Sequence, residues 1–291
     1  MRYLFCFLFI ISCGTAADKA EKKDPDQFTK ITYEFAAQRL VTEFLDRGFV
    51  VSLKEDGEPE HKGDALIWSG VAMSALDCDK GTVIEDAAIK MITDLNGGLY
   101  RHPDLPNEIS LDGALGLYHG IASRIARCES LSKWAHPLKL HKEFTSKVVP
   151  KEFTYVRDLL FHKAGIAGEP SKDRLKILEG QIYGWASAVM ISKSACFRLH
   201  LSYLSYSTIE KLGGGVSRGG RGRFCSATDG ADLPLIDHWC GRDGLTEWIA
   251  NFEVDQYEYR HQRCPWEGPD RAGLRYPGVD FLKGIEDAYN L

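Results

Sequence analysis

Asp64-Ala-Leu-Ile-Trp-Ser-Gly-Val-Ala-Met-Ser-Ala-Leu-Asp-Cys78 and Asp112-Gly-Ala-Leu-Gly-Leu-Tyr-His-Gly-Ile-Ala-Ser-Arg-Ile-Ala-Arg-Cys128 decide the fold. Each is an apolar run of helix length that opens on an aspartate, where an N-cap belongs, and ends on a cysteine. Between them Val83 to Leu95 is more amphipathic and stops at Asn96-Gly97-Gly98, a C-cap signal. This layout predicts an imperfect helical-hairpin repeat of about 50 residues. If the two buried helices run parallel, Cys78 and Cys128 meet at one end, both aspartates gather at the other, and a bridge would staple the repeat.

Outward from this pair the pattern stays helical. Residues 27–46 carry Phe28, Ile31, Phe35, Ala36, Leu40, Phe44 and Leu45 mostly at three- and four-residue steps, and residues 47–63 read as a charged, Gly-bearing loop. Tyr100 to Ser110 is a polar loop. Further helices are predicted over Phe153 to Lys163, Arg174 to about Met190 and Cys196 to Leu212. Gly213 to Asp232 reads as a Gly/Arg-rich loop, Leu245 to Phe252 as a short helix opened by Asp243, and the tail as loop punctuated by Pro265, Pro269 and Pro277. No run alternates as strands do. The expectation is one mainly α domain over residues 27–291, loop-rich in its C-terminal region 213–291.

The N-terminus supplies an address. Arg2 precedes the apolar run Leu4 to Ile11, which is too short for a membrane-spanning helix of about 20 residues. Ile10-Ile11-Ser12-Cys13 resembles the site at which bacterial lipoproteins are cut and acylated. That resemblance implies a signal peptide over 1–12, a lipidated Cys13 and a tether over 13–26. Gly14 stands where aspartate commonly retains such proteins at the inner membrane, so the family pattern implies the outer membrane if the host has two. Ordinary secretion with cleavage after Ala16 is the competing reading.

Of eight cysteines, Cys78, Cys128, Cys196, Cys225, Cys240 and Cys264 remain in the exported body, an even set that predicts disulfides. No C-x-x-C pair or H-E-x-x-H motif recommends a metal, and no cofactor signature occurs. Loss of residues 1–12 removes only Arg2 among the charged side chains and leaves 35 basic against 41 acidic groups. An acidic balance of this kind does not favour nucleic acid.

A chain of helical hairpins with parallel buried helices resembles the α/α toroid, or incomplete helical barrel, of bacterial glycan-active hydrolases and lyases, and the Asp64 to Trp68 opening resembles their aspartate-plus-tryptophan starts. The resemblance implies a cleft at the inner-helix N-termini. There Asp64 and Asp112 would be the carboxyl pair, Arg101 and His102 the polar helpers, and Trp68 and Tyr100 the sugar platforms. The competing reading makes the aspartates simple caps and Arg101-His102-Pro103 a surface turn. His200, flanked by Leu199 and Leu201, is either a binding imidazole or a core histidine, and Asp243 is a further carboxylate candidate. Gly215-Val-Ser217-Arg-Gly219 matches G-x-S-x-G but lacks the strand that a nucleophile elbow requires. Arg218, Arg221 and Arg223 in the same stretch suit an anionic polymer or phosphate. Glycan action, partner binding by a non-catalytic surface lipoprotein, and acyl hydrolysis through Ser217 are the three functional expectations, in that order.

Overall fold

A computed structural model describes residues 27–60, 62–106, 110–145, 153–188, 194–229, 234–242, 274–275 and 279–289. Cys13, Asp243, Cys264, the helix expected over 245–252 and the side chain of Cys196 lie outside the described residues. The described fold is mainly α: α1 Gln27–Glu43, α2 Ala65–Ala75, α3 Thr82–Asp94, α4 Leu111–Cys128, α5 Leu131–Thr145, α6 Thr154–Lys163, α7 Lys172–Ala188, α8 Ser194–Lys211, α9 Arg218–Ala227, α10 Pro234–Trp239 and α11 Val279–Tyr289. None of the described helices is long and apolar enough to cross a membrane.

The helix α2 is buried at every position, so it is the axis around which the domain packs. It runs parallel to α4 at backbone contact. A Cβ on Gly70 would fall 1.9 Å from the Gly116 carbonyl oxygen, one on Gly116 2.6 Å from Ile67 Cα, and one on Gly120 2.6 Å from the Gly70 oxygen. Only glycine fits at these crossings, because any side chain would hold the two backbones apart.

At their C-terminal ends the disulfide Cys78–Cys128 joins the two helices, with Cα atoms 5.6 Å apart, as the spacing predicts. Two arginines one turn apart on α4 then satisfy the orphan carbonyls of the α2 terminus. Arg124 donates to Asp77 and Cys78 oxygens at 3.1 and 2.8 Å, and Arg127 donates to Ser74 and Leu76 oxygens at 2.8 and 2.9 Å. Arg124 is itself buried and paired with Glu85 of α3 at 2.9 Å, whose second oxygen accepts the Trp134 indole N–H of α5 at 2.7 Å. Burial alone would raise the Glu85 carboxyl; the Arg124 guanidinium and the Trp134 indole N–H outweigh it and hold the group below its ordinary value.

Around this pair, α3 packs on α5 as α2 packs on α4, so the hairpin repeat is present. The helix α5 carries Pro137 inside it, and no helical expectation covered residues 131–145. His141 of α5 is buried, with its Nδ1–H donated to the Gly97 oxygen at 2.7 Å and its Nε2 accepting the Tyr118 hydroxyl at 2.7 Å. Burial pushes its pKa down to about 4.

Three expectations change. The first helix stops at Glu43 because Leu45–Asp46 (β1) pairs with Phe49–Val50 (β2) across a two-residue turn, Arg47 and Gly48, both at positive φ (52° and 82°). That geometry is a type I′ hairpin. Within the expected loop 47–63, Leu53–Lys54 (β3) pairs with Leu274–Arg275 (β4), and the Val50 N–H is received by Ser69 of α2 at 2.8 Å. The expected Gly/Arg loop and loop-rich tail contain α9, α10 and α11. Glycine weakens a helix without forbidding it, and here the cap and tertiary packing override propensity.

Candidate functional site

The N-terminal ends of α2 and α4 lie side by side, with Gly113 of α4 against Leu66 of α2. Asp64 occupies the N-cap position, but a 3-10 turn, Lys62–Asp64, leads into it. This gives Asp64 φ −104° and ψ 6° instead of the extended backbone of a capping residue, and its carboxylate makes no capping bond. Its Oδ1 lies 3.9 Å from the Arg101 guanidinium, which also donates to the Gly63 oxygen at 2.9 Å. At α4 the cap is Ser110: its backbone is extended and its Oγ accepts the Gly113 N–H at 3.1 Å. Asp112 therefore falls inside the first turn, where a carboxylate favours the helix dipole. The simple cap reading is thus corrected at both aspartates.

Beside this pair sits a clamp that sequence reasoning missed. Lys62 places its ammonium 2.5 Å from Asp104 and 2.6 Å from Asp46, and Arg47 from the hairpin turn reaches Asp104 at 2.8 Å. Asp104 is held below the usual carboxylate range, chiefly by its hydrogen bond from Lys62, and Lys62 is raised in turn by Asp104 and Asp46. His102 is fully buried beneath them, edge-on to Phe49 with ring centroids 6.0 Å apart. Its Nδ1 accepts the Asp104 N–H at 3.1 Å, which fixes the ring proton on Nε2, 3.4 Å from the Asp46 carboxylate and carbonyl oxygens. Burial lowers its pKa. The imidazole expected as a polar helper in the cleft is buried and instead anchors the loop that presents Tyr100 and Arg101. The one signal available in the chain was Asp46-Arg47-Gly48, a turn sequence that brings Arg47 back over the loop.

Asp46, His102 and Asp104 bring three potential ligand atoms within 4.8 Å of one another. They do not fit a cation as arranged. The Lys62 ammonium already occupies the space between the carboxylates, and the one imidazole lone pair is spent on the Asp104 N–H.

The other expected residues separate. Trp68, 2% exposed, is a core side chain and not a sugar platform, whereas Tyr100 is half-buried at the site. His200 is buried on α8, its ring 6.4 Å from Tyr203. Ser217 is an N-cap: its Oγ accepts the Gly220 N–H at 2.9 Å and donates to Glu179 at 2.8 Å, while its own N–H goes to the other Glu179 oxygen at 2.8 Å. Helix α8 and a short loop precede it, so the strand of a nucleophile elbow does not occur there. Cys240, one of the expected disulfide cysteines, pairs with Cys225, with Cα atoms 5.5 Å apart.

Deeper in the domain, fully buried Lys283 of α11 lies between Glu286, at 2.6 Å, and Asp287, which also receives the Tyr203 hydroxyl. Arg127 reaches Glu286 at 3.3 Å. Burial opposes charge on Lys283, but Asp287 and Glu286 outweigh it and hold the ammonium protonated. Lys211 of α8 stands 4.0 Å from Glu286 as well, so three cations surround two carboxylates in a joint that fastens α11 to α4 and α8. Neighbouring His119 donates Nδ1–H to Thr208 at 3.1 Å, because the Thr208 hydroxyl proton is committed to the Leu204 oxygen.

Comparison of the chain with protein-family models, with curated proteins and with solved structures returned no match.

Proposed function

We propose that this chain is an exported envelope lipoprotein, tethered through Cys13 to the outer membrane of a two-membrane host, whose helical domain recognises glycan at the N-terminal ends of α2 and α4. The observation that carries the reading is the Asp64 carboxylate, which stands at the start of α2 and faces the Arg101 guanidinium 3.9 Å away. A carboxylate acceptor beside a guanidinium donor, with the half-buried ring of Tyr100 on the same loop, is the equipment that grips vicinal hydroxyls and a sugar face. The Lys62–Asp104–Asp46–His102 clamp holds the loop in place before any ligand arrives, which lowers the ordering cost of binding.

We favour recognition over cleavage because Asp64 faces a guanidinium and Asp112 lies in the first turn of α4 beside the helix dipole, positions that suit carboxylates accepting hydrogen bonds. Calorimetric titration with neutral envelope-glycan fragments tests the reading, with the mixtures analysed by mass spectrometry. We expect wild-type binding that Asp64→Asn and Arg101→Gln each weaken at least about tenfold, without shortened fragments. Equal binding by folded variants would remove the site, and fragments lost in Asp64→Asn would replace recognition by catalysis.

A further inference from the structure

The helix α9 reads Arg218-Gly-Gly-Arg-Gly-Arg-Phe-Cys-Ser-Ala227, a sequence that local propensity argues against. Gly220 has a packing reason, since a Cβ there would fall 2.6 Å from the Glu179 carboxyl carbon. Gly219 and Gly222 have none: a Cβ on either would meet nothing within 4 Å. Their exposed backbone, with Ser226, forms a bare ridge along the helix.

An arginine stacked on an aromatic ring stands on each side of that ridge. Arg221 lies 4.4 Å from the centroid of Trp239, which is itself stacked on Tyr206 at 5.1 Å with the planes 6° apart. On the other side Arg223 lies 5.6 Å from the ring of Tyr183, an α7 side chain that is 44% exposed. Arg218 is exposed at the start of the ridge. Arg221 has Glu210 as a carboxylate partner at 3.4 Å, whereas among the described residues no carboxylate pairs with Arg218 or Arg223. The chain as a whole is acidic, so three arginines on one short helix with a single carboxylate partner among the described residues are a local inversion of its charge.

We propose that this ridge and its two arginine–aromatic flanks are a second binding surface, for an acidic polysaccharide whose sugar rings carry carboxylate or phosphate groups. The planar Arg223 guanidinium held over Tyr183 is oriented to meet such an anion in the two-point manner that an ammonium cannot, while Arg221, which already donates to Glu210 and to the Trp239 oxygen, adds positive charge to the flank. Bare glycine backbone lets a sugar ring approach, and Tyr183 offers a face for it. An acidic glycan is favoured over a lipid surface because the described residues of α9 present no large apolar side chain for insertion.

Polygalacturonate is the probe, tested against the full-length protein in detergent at low and high salt, with dextran as the neutral control and phosphatidylglycerol vesicles as the lipid control. The expected result is salt-sensitive binding of polygalacturonate, weakened about tenfold or more in Arg218→Gln/Arg223→Gln and unchanged in Asp64→Asn. Should the double variant fail to fold, Arg218→Glu alone serves, since among the described residues that side chain has no carboxylate partner to lose. Equal binding by the folded variants, dextran binding that Arg218→Gln/Arg223→Gln weakens to the same degree, or binding of vesicles alone would overturn the proposal.

Discussion

Replacing Gly116 by alanine tests whether backbone contact between α2 and α4 sets the stability of the domain. The new Cβ would lie 2.6 Å from Ile67 Cα, 2.7 Å from Ile67 Cγ1 and 2.8 Å from the Ile67 oxygen. Carbon pairs are at their optimum near 3.5–4.0 Å, so α2 must retreat by about 1 Å; two of the three obstacles are backbone and cannot rotate away. Because α2 is buried throughout and also packs on β2 and α11, the retreat loosens those contacts as well. Overpacking of this kind costs about 3 kcal/mol, and the better helix propensity of alanine returns about 1 kcal/mol. The net loss of about 2 kcal/mol lowers Tm by roughly 4–8 °C in a domain of this size. The same substitution at Gly222 meets nothing within 4 Å and should stabilise by about 0.5–1 kcal/mol. Urea unfolding followed by circular dichroism, with disulfides intact, reads both. A Gly116→Ala protein as stable as wild type, or shifts of the same sign at both positions, would refute the reasoning.

Other consequences follow from the buried groups. His141 is neutral in the fold with a pKa near 4, whereas the unfolded chain takes its proton near 6.5. Stability is therefore undiminished by this group above pH 6.5 and falls by up to about 3 kcal/mol as pH drops toward 4; His141→Gln, which keeps a donor and an acceptor, should flatten that part of a stability-versus-pH curve. Arg124→Met strands the Glu85 carboxylate and should cost about 3–5 kcal/mol, while Glu85→Gln/Arg124→Met costs less than the single change, as urea unfolding would show. Removing the Cys78–Cys128 bridge, which spans 50 residues, should destabilise by about 4 kcal/mol, against about 3 for Cys225–Cys240 over 15, measured on serine pairs.

The hairpin repeat was legible because burial and cross-linking leave plain marks: an unbroken apolar helix in each half of the repeat, a matched cysteine at each end, and the Asn96-Gly97 stop, where both residues do adopt positive φ. Capping at the two helix starts was not legible, because an aspartate fits the cap position by type and only the 3-10 turn before Asp64 and the extended backbone of Ser110 decide which side chain caps. His102 carried a similar ambiguity. Its neighbours Arg101 and Pro103 suggested a surface turn, but the ring is buried by Phe49 and Asp46, some fifty residues earlier, and no local pattern encodes that meeting. In α9 three glycines and three arginines in six residues read as loop, and the deciding contacts, Ser217 with Glu179 and Phe224 with Tyr206, are again distant.

Hydrogen–deuterium exchange of the protein with and without saturating neutral glycan fragments tests the central claim most directly. The account predicts slower exchange confined to residues 62–64, 99–104 and 110–113, and its loss in Asp64→Asn. Unchanged exchange in those three segments, or protection elsewhere alone, would contradict a glycan site at the N-terminal ends of α2 and α4.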